Sequence, residues 1–252
     1  MPKKKRKPGP GKCVHCLKYT PARNWDHVFP QSWYPDCTPD DLEKWKIPSC
    51  VSCNNSYSVI EGDLLVRFGM LFGPEDLAAS GIGAKALRAL DPRYAKDERD
   101  ARARKKKRKR ILDEIKVLVE PPGAGILPGM GPRPYFKYSS YPVLPIPREP
   151  LTRMAEKFVR GLHYVVRNQF IEPPLEIQIT FCKEEDVEDV SALILRSGQV
   201  THRGPGFGAA FAFAEGLQGA GLWKIQAWGK WIIYGAVSPP DALLREKLRV
   251  GA

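Results

Sequence analysis

The sequence predicts an α+β fold with two folded parts, and three features of its 252 residues indicate this class. Two Cys-x-x-Cys pairs near the N-terminus indicate a small metal-bound module. Apolar residues at helical spacing follow this module, whereas alternating and β-branched runs fill much of residues 175–238. Between the two parts, prolines and glycines crowd residues 120–150, which is typical of a linker.

Shifts in composition divide the chain into five predicted regions. They are a basic disordered tail over residues 1–11, a metal module over residues 12–62, a helical segment over residues 63–119, the linker over residues 120–150, and an α+β domain over residues 151–252. The tail has no apolar side chains to bury, so no fold is expected there. The module is expected to end in a helix that begins near Asn54.

The helical segment carries one strongly basic helix. PEDLAAS has the proline and acidic residues of a helix start, and AKALRAL has helical spacing. A further helix is expected to continue to residue 119 and to bury a stripe of Ile111, Leu112, Ile115 and Leu118. Its first half is nearly all charged, so that half must face water or a phosphate backbone.

The C-terminal domain is predicted to be a small antiparallel sheet with helices against one face. Its first helix covers residues 151–170 and places on one side Met154, Phe158, Leu162, Val165 and Val166. LEIQITF alternates as a half-buried strand, and a second helix ends at Gly198. Three strands follow, the last two joined by a tight turn at Gly229 and Lys230, and a short helix closes the chain after residue 238.

The charge of the chain predicts a polyanionic partner. Forty Lys and Arg against 28 Asp and Glu give a net charge of +12, concentrated at residues 3–7 and 104–110. Basic clusters bind phosphate backbones by releasing counterions, although a solvated tail and helix face would have the same composition. No apolar run is long enough for a membrane span or a signal peptide, so secretion is not expected. PKKKRK resembles a nuclear import signal.

Four of the six cysteines have the spacing of a structural zinc site. Two Cys-x-x-Cys pairs, Cys13 with Cys16 and Cys50 with Cys53, supply four thiolates, which complete a tetrahedral zinc shell and leave no position for a substrate. The alternative is four buried thiols without metal. The remaining cysteines, Cys37 and Cys182, are expected to be ordinary small side chains.

Three segments taken together, CVHC, DHVFP and CVSCN, resemble the zinc-stapled form of the HNH endonuclease motif. The resemblance covers about a fifth of the chain and implies a ββα-metal fold with the four cysteines on structural zinc. It also implies a bacterial origin and therefore a cytoplasmic protein, with a nuclear protein as the alternative. It also implies that Asp26 binds a divalent ion, that His27 is the general base, and that Asn54 takes the place of the final His or Asn. Trp45 stands where the family often has an Asn.

The residue types suit that implied chemistry. Carboxylate and amide oxygens are hard ligands for Mg²⁺ or Mn²⁺, and a neutral histidine can take a proton from an attacking water. The alternative role for Asn54 is a helix N-cap, and adjacent Asn55 could face the metal instead. His15 inside the first cysteine pair is an alternative zinc ligand, while His163 is expected to pack and His202 to be solvated.

The resemblance therefore implies a metal-dependent endonuclease that hydrolyses phosphodiester bonds in DNA, and the sequence leaves RNA open as the alternative substrate. Its predicted DNA-binding residues are Lys105, Lys106, Lys107, Arg108, Lys109 and Arg110. The alternative is a zinc-dependent nucleic-acid-binding protein without catalysis, and a zinc-bearing protein-interaction domain is a third hypothesis. Three tryptophans interleaved with lysines, Trp223, Trp228 and Trp231, could form a stacking platform or simply pack in the core.

Overall fold

The computed structural model describes residues 7–73, 75–120, 140–181 and 188–240. Over these residues the protein is α+β, with five α-helices and small antiparallel sheets, which confirms the predicted class. None of the described helices is both long enough and apolar enough to cross a membrane. Most of the predicted tail and linker, Cys182 and the predicted last helix lie outside the described residues.

The N-terminal module has a ββα order. Its elements are β1 (Gly11–Lys12), β2 (Tyr19–Thr20), β3 (Arg23–His27), β4 (Lys46–Cys50) and α1 (Val51–Gly69). The short β1–β2 hairpin surrounds the first cysteine pair, and β3 pairs antiparallel with β4 so that Asp26 lies opposite Ile47. The helix begins three residues before the predicted start, because the Cys50 thiol caps it by accepting from the Cys53 N–H. It also continues through the predicted boundary at residue 62.

Two more helices follow α1. They are α2 (Ile82–Leu90) and α3 (Glu98–Glu114), and residues 77–79 form only a 3₁₀ turn where a helix start was predicted. The prediction that α3 continues to residue 119 is wrong. It ends at Glu114, and β5 (Lys116–Leu118) pairs with β6 (Tyr141–Val143), because the β-branched sequence there finds a partner strand. Of the predicted stripe, Ile111 is fully buried but Leu112 is 53% exposed.

The C-terminal part contains a five-stranded antiparallel sheet. Its elements are α4 (Arg148–Arg167), β7 (Glu176–Thr180), α5 (Glu188–Ser197), β8 (Gln199–His202), β9 (Phe207–Phe213), β10 (Gly221–Ala227) and β11 (Trp231–Ser238). The strand order is β7-β11-β10-β9-β8. The predicted turn at residues 228–230 is confirmed, and Trp228 and Gly229 there take φ values of +54° and +72°. Strand β8 was missed, because its residues were interpreted as part of a polar turn.

The sequence predicts both helices on one face of the sheet, but the structure places them on opposite faces. Helix α4 covers the face that carries Trp223 and Ile225, whereas Ile194 of α5 packs with Ala210 and Ile232 on the opposite face. The alternation of side chains along β9 to β11 supplies apolar residues to both faces, which is why two helices can be buried against it.

One hydrophobic core joins the N-terminal module to the sheet. Helix α4 lies between them, and it approaches β3 and β4 so closely that a Cβ at Gly161 would come within 3.0 Å of Val28. Trp33 of the module contacts the rings of Trp228 and Trp231. The three tryptophans of the possible stacking platform are at most 1% exposed, so they pack in this core.

A substitution in this shared core tests the connection. The Trp228 Nε1 donates to the Trp33 carbonyl oxygen at 2.9 Å, and both rings are buried. We expect Trp228→Ala to lower the free energy of unfolding by about 3–5 kcal/mol, because it leaves a cavity and an unpaired carbonyl. When urea unfolding of the variant is monitored by circular dichroism and by fluorescence, both signals should report the same single transition. The control is Leu87→Ala, because the Leu87 side chain is 62% exposed. It should change the free energy of unfolding by no more than about 0.5 kcal/mol.

Candidate functional site

The four cysteines of the two predicted pairs form one cluster that could hold a metal ion. Their Sγ atoms all lie within 4.8 Å of one another, and the Cys16 and Cys50 sulfurs are 3.9 Å apart. Four sulfurs at a zinc–sulfur distance of about 2.3 Å in a tetrahedron would be roughly 3.8 Å apart. The arrangement is therefore compatible with structural zinc. It clamps the β1–β2 hairpin to the junction of β4 and α1.

The thiols of this cluster differ in acidity. Burial raises the pKa of Cys13, but backbone N–H groups of Cys16, Cys50 and His15 outweigh it and lower the pKa to about 7. Burial raises the pKa of Cys16 and of Cys53, and neighbouring thiols raise the pKa of Cys53 further. Four thiolates so close together repel one another, so a bound cation is what would stabilise all of them in the charged form.

Asp26 is buried, and both of its carboxylate oxygens have partners. Oδ2 accepts from His15 Nε2 at 2.9 Å, and Oδ1 accepts from Lys157 Nζ at 2.8 Å. Burial raises the pKa of Asp26, but His15 and then Lys157 outweigh it, so its pKa is lowered. Lys157 also donates to Glu61 Oε1 at 2.5 Å. His15, the alternative zinc ligand, thus forms a hydrogen bond with Asp26 instead.

This arrangement does not fit a divalent ion on Asp26. A metal ion on Asp26 would lie beside the Lys157 ammonium that already bonds to Oδ1, and the two positive charges would repel each other. Among the described residues, the four cysteines are the one cluster of three or more His, Cys, Asp or Glu placed to share a metal. Asp26 and Glu61 are joined only through Lys157.

His27 lies on the opposite face of β3 from Asp26, as side-chain alternation in a strand requires. It lines a cavity of about 860 Å³ together with Trp25, Trp45 and Lys46. Burial, followed by the charge of Lys46, lowers the pKa of His27 to about 4, so its imidazole is neutral at pH 7. Trp45 stands where the family often has an Asn. The Arg203 guanidinium carbon lies over its ring, 3.9 Å from the ring centroid.

Asn54 lies in the first turn of α1 and is half-buried. It is not the N-cap of that helix, because Cys50 takes that position, so the capping alternative is wrong. Asn55, the other possible ligand, is exposed. The remaining histidines behave differently from one another: His163 is fully buried beside Trp223, and His202 is exposed at the end of β8.

The basic residues of α3 separate into two faces. Those that contact the rest of the protein are Arg104, Lys107 and Arg110, which bond to the Arg88 carbonyl, the Gly62 carbonyl and Asp63. The outer face of α3 consists of Lys105, Lys106, Arg108 and Lys109, all exposed. Within the described part of the chain, no carboxylate forms an ion pair with the first three of these residues, whereas Lys109 pairs with Asp113. The outer face is therefore available to an external anion.

Sequence reasoning missed Lys157 and Glu61. Lys157 lies three residues after Met154 and one before Phe158, so it falls within the apolar stripe of α4. Glu61 similarly lies beside Ile60 and three residues before Leu64 on α1. A charged residue inside an apolar helical stripe signals a buried ion pair, although it does not identify the partner.

No family model matches this chain, and neither does any curated protein or solved structure. The resemblance to HNH endonucleases therefore depends on the spacing of the motif and on the ββα order of the module. Function has to be argued from the side chains and their geometry.

Removal of one cysteine ligand tests the cluster. We expect Cys16→Ser to reduce the zinc content from one ion per chain to well below one and to lower the melting temperature, because metal binding contributes to folding. Zinc is measured by mass spectrometry of the dialysed protein. The matched control is Cys37→Ser, since Cys37 is an exposed cysteine outside the cluster. Unchanged zinc content in Cys16→Ser would rule out the four-cysteine site.

Proposed function

We propose that this chain is a zinc-bound nucleic-acid-binding protein without catalysis, in which the outer face of α3 contacts a phosphate backbone. The four cysteines hold zinc and fix the ββα module. The proposed nucleic acid is DNA, and its binding depends on charge rather than on base sequence.

The outer face of α3 is the observation that carries this proposal. Lys105, Arg108 and Lys109 line a hollow of about 300 Å³ with Pro92, Leu112 and Asp113, so three cations face one carboxylate there. Several exposed cations on one turn and a half of helix neutralise adjacent phosphates and release their counterions. The inner cations of the same helix bond to the Arg88 carbonyl, the Gly62 carbonyl and Asp63, so α3 is fixed on the protein and presents the outer face in one orientation.

The surroundings of Asp26 support binding rather than cleavage. Metal-dependent hydrolysis needs a cation that reaches the scissile phosphate. Asp26 is 5% exposed, and its neighbour Lys157 is fully buried, so neither side chain can touch a phosphate in this arrangement. The ββα module with this interior lacks an open metal site at Asp26. The contact with DNA is therefore assigned to the outer face of α3, which lies outside the module.

A triple substitution on α3 tests the proposal. We expect Lys105→Ala, Arg108→Ala and Lys109→Ala together to weaken binding to random-sequence duplex DNA. The slope of log K against log salt concentration should fall by roughly 0.9 for each lost phosphate contact. Fluorescence anisotropy at several salt concentrations measures both quantities.

The control removes the same charge elsewhere, at the exposed residues Lys18, Arg148 and Arg196, each changed to Ala. Its salt slope should stay close to that of the unchanged protein. If both triple variants lose the same affinity and slope, binding follows net charge alone and the outer face of α3 has no special role. If the unchanged protein binds neither duplex nor single strands, the proposed function is wrong.

A second candidate is the HNH-type endonuclease that the motif implies, and one observation favours it. His27 is neutral at pH 7 and lines a large cavity beside Lys46 and two tryptophans, which could hold a nucleotide. In this candidate, Mg²⁺ or Mn²⁺ would have to bind near Asn54 after Asp26 had released Lys157.

Cleavage of supercoiled plasmid separates the two candidates. We expect the zinc-loaded protein to bind the plasmid and leave it intact in Mg²⁺ and in Mn²⁺. Gel electrophoresis after long incubation measures nicking. Nicking that disappears in His27→Ala, but persists in the matched His202→Ala variant, would favour the endonuclease and reject the non-catalytic proposal.

A further inference from the structure

A fully buried ammonium lies inside the ββα module, although its residue belongs to the C-terminal part of the chain. Lys157 is 0% exposed, and its Nζ lies 2.8 Å from Asp26 Oδ1 and 2.5 Å from Glu61 Oε1. The ring of Tyr57 covers it at 5.3 Å from the centroid. An ammonium has three N–H donors, so two carboxylates and one aromatic face account for all of them.

The two carboxylates need a cation between them. Asp26 comes from β3 and Glu61 from α1, and the fold brings both into a buried space. The pKa of Glu61 is raised, first by burial and also by Asp26, while Lys157 opposes both effects. Two such oxygen donors without a positive charge would repel each other across a medium of low dielectric constant. Either an ammonium or a metal ion can provide that charge.

We propose that Lys157 supplies the positive charge between Asp26 and Glu61, and that it thereby excludes Mg²⁺ and Mn²⁺ from the space between these two carboxylates. The resemblance implies a metal ligand at Asp26, and the structure shows a lysine at that ligand instead. A divalent ion would have to displace a buried ammonium that has no other carboxylate partner among the described residues. Displacement would leave a fully buried ammonium beside the Tyr57 ring without a carboxylate partner, which is costly.

The proposal has a direct consequence for Mg²⁺ and Mn²⁺. Shortening Lys157 to Ala removes the ammonium nitrogen and three side-chain carbons, which leaves two carboxylates facing an open space. Carboxylate oxygens with room for water are the ligands these ions prefer. The substitution should therefore create a divalent-cation site that the unchanged protein does not have.

Titration with Mn²⁺, followed by electron paramagnetic resonance, tests this in zinc-loaded protein without nucleic acid. We expect the unchanged protein to bind no Mn²⁺ at this position. Lys157→Ala should bind one Mn²⁺ ion that the unchanged protein does not bind. Lys157→Arg, which keeps the charge, and the double variant Lys157→Ala with Asp26→Asn should not bind it.

Two results would overturn the proposal. One is a Mn²⁺ ion bound to the unchanged protein and lost in Asp26→Asn. The other is a folded Lys157→Ala that binds no additional ion. If Lys157→Ala is unfolded without divalent cations, the same titration is followed by circular dichroism: recovery of the fold with Mn²⁺ supports the proposal, and no recovery rejects it. The readout involves no DNA, so failure of the proposed function would not affect it.

Discussion

The buried ion pair between Lys157 and Asp26 is the interaction on which the rest of the structure depends. It joins β3 to α4, and through Glu61 it joins both to α1. These three elements come from two parts of the chain that the sequence separates by a proline-rich stretch. Removal of one partner would leave an uncompensated buried charge, at a cost of about 3–5 kcal/mol. The pair therefore fixes how the module and the sheet fit together, beyond what apolar packing requires.

The cysteine cluster and the aromatic core secure the same module from two sides. The cluster fixes the start of α1 relative to the first hairpin, because Cys50 and Cys53 flank that start. The core holds the other end, where Phe68 contacts Trp228 and Trp231. With both ends of α1 fixed, Glu61 in the middle of the helix is held against Lys157. Between these two fixed ends, the ion pair connects α1 to β3 and α4.

The sequence predicted local features well because their causes are local. Cysteine spacing indicated the metal cluster, alternation indicated the strands of the sheet, and helical periodicity indicated α4 with Met154, Phe158 and Leu162 buried. It failed where a distant partner decides the outcome. The chain after Glu114 pairs with a strand beyond the linker, and the partners of Asp26 are separated from it by up to 131 residues.

The motif itself shows the same limit. Asp26 and His27 are adjacent in sequence, and their spacing from the cysteines implies a shared catalytic role. In the fold they lie on opposite faces of β3, one bonded to Lys157 and the other in an open cavity. Whether an Asp binds a metal or a lysine depends on the helix packed above it. That helix, α4, lies outside the motif, so no analysis of the motif alone could find Lys157.

The most direct test of this account is a crystal structure of the zinc-loaded protein soaked in Mn²⁺, with anomalous scattering recorded for both metals. The account predicts a zinc peak among the four cysteines, no manganese peak between Asp26 and Glu61, and density for Lys157 Nζ in that position. A manganese peak on Asp26, with Lys157 turned away, would contradict it and restore the metal-dependent endonuclease as the better account.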